Sequence, residues 1–141
     1  KLTPPLRAKE DQKALQKALL EGTIDFMTTD HNPLDIELKN LAFDHAHYGS
    51  LGLEAEFGVL NSLYTTAQAV TILQRGYERF KLEKPIISVG YKATLSLFDP
   101  SLEYTQTLGD LYATSKNSLY LGEILKGKAL GTVVNEHITT I

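Results

Sequence analysis

The segment Ile24–Pro33 constrains the fold of this chain more than any other stretch of its sequence. It begins as a short apolar run of residues that favour β-structure, and this run predicts a buried strand over residues 24–29. The strand ends in the carboxylate of Asp30 and the imidazole of His31, and Pro33 then blocks further regular structure. The sequence therefore places two titratable side chains at the tip of a predicted strand.

The residues before this strand predict the kind of fold to which it belongs. Residues 9–21 carry apolar side chains at helical spacing, and Gly22 follows as a stop signal. A helix, a glycine turn and a buried strand form the αβ step from which barrels and doubly wound sheets are built. In barrel enzymes, a polar residue at the carboxyl-terminal tip of a strand faces the active site. Asp30 is therefore the first catalytic candidate; the alternative is a turn residue or a helix N-cap, since Asp before Asn-Pro favours turns.

Further helices are predicted in the first part of the chain. Residues 35–41 predict a short helical turn, and residues 43–52 predict a loop rich in His, Tyr, Ser and Gly. Residues 53–81 predict two helices separated by a break at Thr65 and Thr66, with Thr66 capping the second helix.

The character of the sequence changes near residue 83, where Lys84-Pro85 marks a switch. The segments 86–90 and 93–98 favour β-structure, and Asp99-Pro100 ends the second of them. Residues 125–134 and 137–141 predict a terminal hairpin around Asn135-Glu136. We therefore predict an α/β portion over 1–82 and a portion of short strands over 83–141.

Composition excludes several classes of function. The chain has 141 residues and a net charge of −3, without the basic stretch that nucleic-acid binding requires. It has no apolar run near the ~18 residues of a membrane span, and no signal-peptide pattern. The absence of cysteine excludes disulfides, thiolate catalysis and Cys-based zinc sites. A cytoplasmic protein without membrane or nucleic-acid partners is the simplest expectation.

The remaining histidines are weaker candidates. His31 suits a metal, a substrate or a loop hydrogen bond. His45 and His47 form a His-x-His pair whose side chains share a face only if the segment is a strand. They stand in a polar loop without an apolar strand before it, which favours a surface loop over a metal site. His137 lies in the predicted hairpin and is interpreted as structural.

Several local patterns occur in one order along nearly the whole chain. They are Lys1-Leu2-Thr3-Pro4-Pro5-Leu6-Arg7, Gly22-Thr23-Ile24-Asp25, Thr29-Asp30-His31-x-Pro33, Lys39, Gly49-x-x-Gly52-Leu53-Glu54, Val89-Gly90-x-x-Ala93, Leu95-x-Leu97-Phe98-Asp99, Ser115-Lys116-Asn117 and Leu125-Lys126-Gly127-Lys128. The ordered set resembles the C-terminal third of bacterial dihydroorotases, a branch of the amidohydrolase superfamily. The resemblance implies that residues 1–82 end a (β/α)₈ TIM-type metal-dependent hydrolase barrel and that residues 83–141 form part of a small β-sandwich domain. Since the chain starts at Lys1 without an initiator Met, we expect it to be a piece of a longer protein.

The resemblance also implies an activity and site residues. Dihydroorotases hydrolyse or form the cyclic amide of dihydroorotate in pyrimidine biosynthesis, with one or two zinc ions. Asp30 matches the family's aspartate that ligates metal and carries the proton to the leaving nitrogen. Tyr48 and Gly49 match the pair whose backbone contacts the pyrimidine ring, and His31 is a weaker substrate contact. With Asp30 as the sole family ligand in the chain, we expect the isolated 141 residues to be inactive and metal-free.

Some positions depart from the family pattern. Thr3 replaces an Asn that contacts substrate, and Leu34 replaces a His that helps to hold the substrate carboxylate; Asn32 stands for Ala and Tyr48 for Phe. Losing such a partner for an anionic substrate costs roughly 2–5 kcal/mol. Two alternatives to an active dihydroorotase therefore stay open.

The first alternative is a non-catalytic, dihydroorotase-like structural partner of aspartate carbamoyltransferase. The second is an amidohydrolase for another ring, such as a hydantoin, for which a carboxylate-binding His is not needed. In all three cases unpaired strand edges favour association, so we expect a homo-oligomer.

Overall fold

The computed structural model describes residues 1–141 as an α/β chain with a small antiparallel sheet. In chain order its elements are α1 (Lys9–Glu21), α2 (Ile36–Lys39), α3 (Glu56–Leu63), α4 (Thr66–Arg79), β1 (Thr94–Thr105), β2 (Ile124–Val134) and β3 (His137–Thr140). Single 3₁₀ turns at Leu53–Ala55 and Leu108–Asp110 precede α3 and β2. None of the helices combines the length and the apolar character that crossing a membrane requires.

Helix α1 begins and ends where the sequence predicts. Gly22 caps its C-terminus in the left-handed conformation, with φ of 81°, and donates its N–H to the Leu19 carbonyl. The guanidinium of Arg75, from α4, donates to the carbonyls of Leu19 and Leu20 and so satisfies the end of α1. The core between the helices contains Leu19, Leu60, Ala69 and Ile72, with Ile24, Met27 and Tyr64 packed against it.

The predicted strand over residues 24–29 is not formed. Residues 25–30 make no backbone–backbone hydrogen bond, and regular pairing begins only with an isolated parallel bridge between His31 and Ser50. A strand is stabilised by a neighbour that accepts and donates across the ladder, and no segment of the chain pairs its backbone with residues 25–30. The segment has the composition of a strand but is extended without strand pairing.

The break between α3 and α4 lies where it was predicted, but the capping residue is Thr65 rather than Thr66. The Thr65 hydroxyl accepts from the Gln68 N–H at 3.4 Å, and the Gln68 side chain accepts from the Thr65 N–H at 3.0 Å. This reciprocal pair is a capping box. Thr66 Oγ1 donates instead to Asn61 Oδ1 at 2.8 Å. The adjacent threonines therefore have different roles, and the spacing Thr65-x-x-Gln68 is the sequence signal for the first of them.

The sheet has the order β1-β2-β3, and the predicted terminal hairpin is confirmed. Two β-predictions are wrong. Residues 86–90 form an exposed segment with no strand partner. Strand β1 continues beyond Pro100 to Thr105, because the proline falls where pairing is interrupted between Asp99 and Glu103. The missing N–H of Pro100 therefore breaks no ladder hydrogen bond.

Helix α3 packs on the sheet through two glycines. A Cβ on Gly58 would lie 3.0 Å from the Gly127 carbonyl oxygen, and one on Gly127, where φ is 97°, would lie 2.7 Å from the Phe57 ring. The close approach places Asn61 against both long strands. Its amide nitrogen donates to the carbonyls of Pro100 and Lys126, each at 3.0 Å. The helices and the sheet are thus joined by buried hydrogen bonds as well as by apolar contact.

An ion pair between β2 and the turn before it predicts an acid-dependent stability. Lys128 Nζ lies 2.7 Å from Asp110 Oδ1, and Thr107 donates to the other carboxylate oxygen. These bonds lower the pKa of Asp110 from 3.8 to about 2. The stabilisation is therefore present above pH ~4 and is lost as the pH falls through about 2.

We expect Asp110→Asn to lower the free energy of unfolding by about 1 kcal/mol at pH 7, since the exposed fraction of Lys128 allows solvent screening. The difference from wild type should narrow between pH 4 and pH 2, as measured by urea unfolding. Asp25→Asn is the matched control, because the 3.4 Å pair of Asp25 with Arg79 is exposed on both sides. A difference that is equal at pH 7 and pH 2.5 would contradict the assignment.

Candidate functional site

Asp30 lies in an exposed loop that follows the extended segment; we call residues Thr29–Leu34 the Asp30 loop. Asp30 itself has φ of 45°, in the left-handed region. Among residues other than glycine, Asp and Asn tolerate this conformation best, at a cost of roughly 1 kcal/mol. The side chain is exposed and free to meet a ligand. An unfavourable backbone angle at the candidate residue requires the neighbouring contacts to hold the loop in place.

His31 is oriented by backbone donors. Its Nδ1 accepts from the N–H groups of Gly52, at 3.3 Å, and Leu53, at 3.2 Å. Because Nδ1 accepts, the neutral ring carries its proton on Nε2. Glu54 Oε2 lies 3.8 Å from the same Nδ1, but an accepting nitrogen cannot donate to it. Glu54 Oε2 is buried and has no hydrogen-bond partner, whereas Glu54 Oε1 accepts from the Ala113 N–H at 3.0 Å.

The end of the Asp30 loop is held by Asn117, from the C-terminal part of the chain. Asn117 Nδ2 donates to the Asn32 carbonyl at 3.0 Å, and Asn117 Oδ1 accepts from the Leu34 N–H at 3.1 Å. The Asn32 N–H donates to the Ser50 carbonyl at 2.9 Å. The loop backbone is therefore bonded on two sides.

Two glycines let the segment Tyr48–Leu53 lie directly against the Asp30 loop. A Cβ on Gly49, whose φ is 125°, would come within 2.5 Å of the Asn32 side chain, and one on Gly52 within 3.0 Å of the Thr29 carbonyl oxygen. The Asn32 amide also donates to the Tyr48 carbonyl at 3.3 Å. The predicted substrate residues Tyr48 and Gly49 are thus next to the loop that carries Asp30 and His31.

The backbone groups of Gly49 are already bonded within the chain. Its N–H donates to the Lys1 carbonyl at 3.1 Å, and its carbonyl accepts from Lys39 Nζ at 2.8 Å. Lys39 also donates to the carbonyls of Lys1 and His47. A ring bound at Gly49 would have to share or replace these bonds.

The chain does not complete a metal site. No group of three or more His, Cys, Asp or Glu side chains is close enough to hold an ion, in any part of the chain. His45 and His47 lie in an exposed loop, and His137 lies on the exposed strand β3. For the zinc that the resemblance implies, the residues present offer one carboxylate, that of Asp30, and this is too few.

A groove with a volume of about 590 Å³ lies beside the site rather than at the carboxylate. Its lining includes Lys39, Gly49 and Asn117, but neither Asp30 nor His31. A second cavity of about 540 Å³ lies at the β2–β3 hairpin, next to His137. Neither of these two cavities is lined by Asp30.

Sequence analysis assigned no role to Asn117 or Glu54, although both lie in the quoted motifs. Their partners are distant along the chain: 85 residues separate Asn117 from Asn32, and 59 separate Glu54 from Ala113. Residue type and local spacing do not predict contacts between residues so far apart. The only sequence signal for these two residues was their place in the ordered motifs.

Comparison with known proteins places the chain in a class. No family model matches it. Among solved structures, a D-hydantoinase (dihydropyrimidinase) from Thermus sp. has a TM-score of 0.84 at 27% identity, over 99% of this chain and 33% of the other. An L-hydantoinase (dihydropyrimidinase) from Arthrobacter aurescens, at 22% identity and a TM-score of 0.81, shares the fold. The fold is that of the C-terminal part of a TIM-barrel amidohydrolase.

Proteins that are similar in sequence are dihydroorotases. A dihydroorotase of Listeria innocua is 35% identical over 139 residues, which are 94% of this chain and 33% of the relative. A dihydroorotase of Chlorobaculum tepidum is 33% identical over 144 residues, 97% of this chain and 33% of the relative. The chain is a homologue of dihydroorotases, as the ordered motifs predicted, and it spans about one third of the length of these relatives.

Proposed function

We propose that this chain is the C-terminal part of a longer cyclic amidohydrolase that opens and closes the ring amide of dihydroorotate, with Asp30 as the proton carrier. The observation that supports this most directly is the exposed carboxylate of Asp30 on a loop whose backbone is bonded to Ser50 and Asn117. A carboxylate held in one place is what a proton transfer between two fixed atoms requires.

The chemistry needs one proton to change position. When the oxygen of water adds to the ring carbonyl carbon, the carbon–nitrogen bond breaks and the leaving nitrogen must be protonated. The Asp30 carboxylate accepts the proton that water gives up and delivers it to that nitrogen. His31, with its proton on Nε2, offers one donor for a polar atom of the substrate. Tyr48 and Gly49 supply backbone groups next to the same loop.

The proposal includes zinc, pyrimidine biosynthesis and a cytoplasmic location. In such a protein Asp30 would be one ligand of one or two zinc ions, which polarise the carbonyl and lower the pKa of water. The other ligands would come from residues outside this chain. Residues 1–82 would then belong to the barrel and residues 83–141 to the sandwich domain.

The deciding experiment assays the longer protein and the isolated 141 residues side by side. We expect the longer protein to hydrolyse dihydroorotate and the isolated chain to have no activity and no bound zinc. Activity of the isolated chain would refute the division of the site between this chain and another segment. Failure of the longer protein on every cyclic amide would refute the enzymatic proposal.

Because of Leu34, we expect the site to bind a charged ring weakly. It is half-buried, and its N–H bonds to Asn117, so its side chain offers the substrate carboxylate no charge. This favours a second candidate substrate, an uncharged ring such as a hydantoin. We expect Leu34→His to raise kcat/KM for dihydroorotate at least about tenfold relative to hydantoin. Steady-state kinetics on both substrates measure this effect. An unchanged ratio of the two kcat/KM values would show that residue 34 does not contact the substrate carboxylate.

A non-catalytic role as a partner of aspartate carbamoyltransferase is the second candidate function. The loss of two family contacts at Thr3 and Leu34 favours it. Zinc analysis of the longer protein separates the two, because a structural partner has no need of a metal. Zinc-free protein that binds the transferase in sedimentation would support the structural role, and this measurement would also report the homo-oligomer that we propose.

A further inference from the structure

We propose that Asn117 is a positioning residue that holds the Asp30 loop in its working conformation from the C-terminal part of the chain. The catalytic consequence of this inference rests on the proposed function, whereas the structural hold does not. The proposal stands on the contacts of one buried side chain and on the way in which that side chain is itself held.

Both polar atoms of the Asn117 side chain are used on the loop. Nδ2 donates to the Asn32 carbonyl at 3.0 Å, and Oδ1 accepts from the Leu34 N–H at 3.1 Å. The residue between these two partners is Pro33, which has no N–H. One side-chain amide therefore pairs with the backbone on both sides of the proline, as a neighbouring strand would.

The loss of these two hydrogen bonds is costly because Asn117 is buried. Only 9% of the Asn117 surface is exposed. Water is therefore poorly placed to replace a lost partner, and an unpaired buried carbonyl or N–H is costly. The loop that Asn117 holds contains a residue with an unfavourable φ, Asp30. Without the side chain, the loop has less to keep it in this conformation.

Asn117 is anchored in turn by Leu51 and, through the next residue, by Gln106. Its own carbonyl accepts from the Leu51 N–H at 3.2 Å, and the next residue, Ser118, forms a parallel bridge with Leu51. Ser118 Oγ donates to Gln106 at 3.1 Å, and Gln106 is only 2% exposed. The end of β1 is thus linked through two buried residues to the loop that carries the candidate carboxylate.

A second contact runs from the same segment. Lys116 Nζ donates to the carbonyls of Leu111 and Ala113 and so fixes the shape of residues 111–116. The Ala113 N–H then donates to Glu54, the neighbour of the His31 ring. Residues 111–118 therefore reach the site at two points, and only Asn117 bonds to the Asp30 loop itself.

The test replaces Asn117 by alanine in the longer protein and reads two properties. Hydrogen exchange at the Leu34 N–H should become at least about tenfold faster, since a hydrogen bond is lost. The Leu51 N–H, which bonds to the main chain of residue 117, should keep its protection. kcat should fall about 10- to 100-fold through misplacement of Asp30, while KM stays close to wild type because no binding contact is removed.

Asn40→Ala is the matched control: Asn40 is exposed, its side chain makes no hydrogen bond within the chain, and its loss should change neither the Leu34 exchange nor kcat. If Asn117→Ala does not fold, Asn117→Asp keeps the size and the acceptor but loses the donor, and should still lower kcat about tenfold.

Unchanged exchange at the Leu34 N–H in Asn117→Ala would show that Asn117 does not hold the Asp30 loop. Faster exchange with unchanged kcat would overturn the catalytic consequence and leave the proposed function intact. A wild type inactive on every cyclic amide would overturn the proposed function, and the Leu34 exchange would still decide the hold.

Discussion

Asp30→Asn in the longer protein is expected to lower kcat for ring opening by about 10²- to 10⁴-fold, the range typical of general acid–base catalysis. The amide keeps the size of the side chain and tolerates a positive φ as well as Asp does, so the loop should keep its shape. It cannot accept a proton from water and return it to the ring nitrogen. Steady-state kinetics on dihydroorotate and on hydantoin measure the effect.

Asp25→Asn provides the matched control for this experiment. Asp25 lies in the same extended segment, is exposed and pairs only with Arg79, so its replacement should leave kcat within about twofold of wild type. Hydrogen exchange at Leu34 should stay the same in both variants. An Asp30→Asn protein with wild-type kcat would remove Asp30 from the mechanism.

Asn61→Leu is expected to lower the free energy of unfolding by about 3 kcal/mol. Asn61 is 5% exposed and makes three hydrogen bonds, to Pro100, Lys126 and Thr66. Leucine is similar in size but leaves two part-buried carbonyls and a hydroxyl without this partner, at about 1 kcal/mol for each such group. Urea unfolding of the variant and of wild type measures the change.

Asn40→Leu is the control for polarity alone, since Asn40 is exposed and its side chain makes no hydrogen bond within the chain. It should change the free energy of unfolding by less than about 0.5 kcal/mol. Equal losses in the two variants would mean that the hydrogen bonds between α3 and the sheet do not stabilise this fold. A large loss of unfolding free energy in Asn61→Leu alone would show that these hydrogen bonds couple the unfolding of the helices to that of the sheet.

Sequence alone predicted the elements whose stability is local. Helix α1 follows from apolar spacing and the Gly22 stop, and the β2–β3 hairpin follows from the two β-prone runs on either side of Asn135-Glu136. In both, the hydrogen-bonding partners are close along the chain, so the pattern contains the information. The dihydroorotase resemblance came from the order of short motifs, and the comparisons confirm it. The domain boundary near residue 83 stays a prediction.

Tertiary structure decided what depends on distant partners. Residues 24–29 have the composition of a strand but no strand partner, so composition predicted pairing that does not occur. The cap of α4 is a local exception: Thr65 rather than Thr66 forms it, because Gln68, three residues further on, completes the capping box.

The candidate site shows the same division. The sequence by itself singled out Asp30, since a carboxylate after an apolar run is visible in a line of residues. It could not reveal that Asn117 holds the loop, because that contact spans more than 80 residues and depends on how the C-terminal part packs. Local patterns determined which residues are chemically suited to act, and long-range packing decided how they are held.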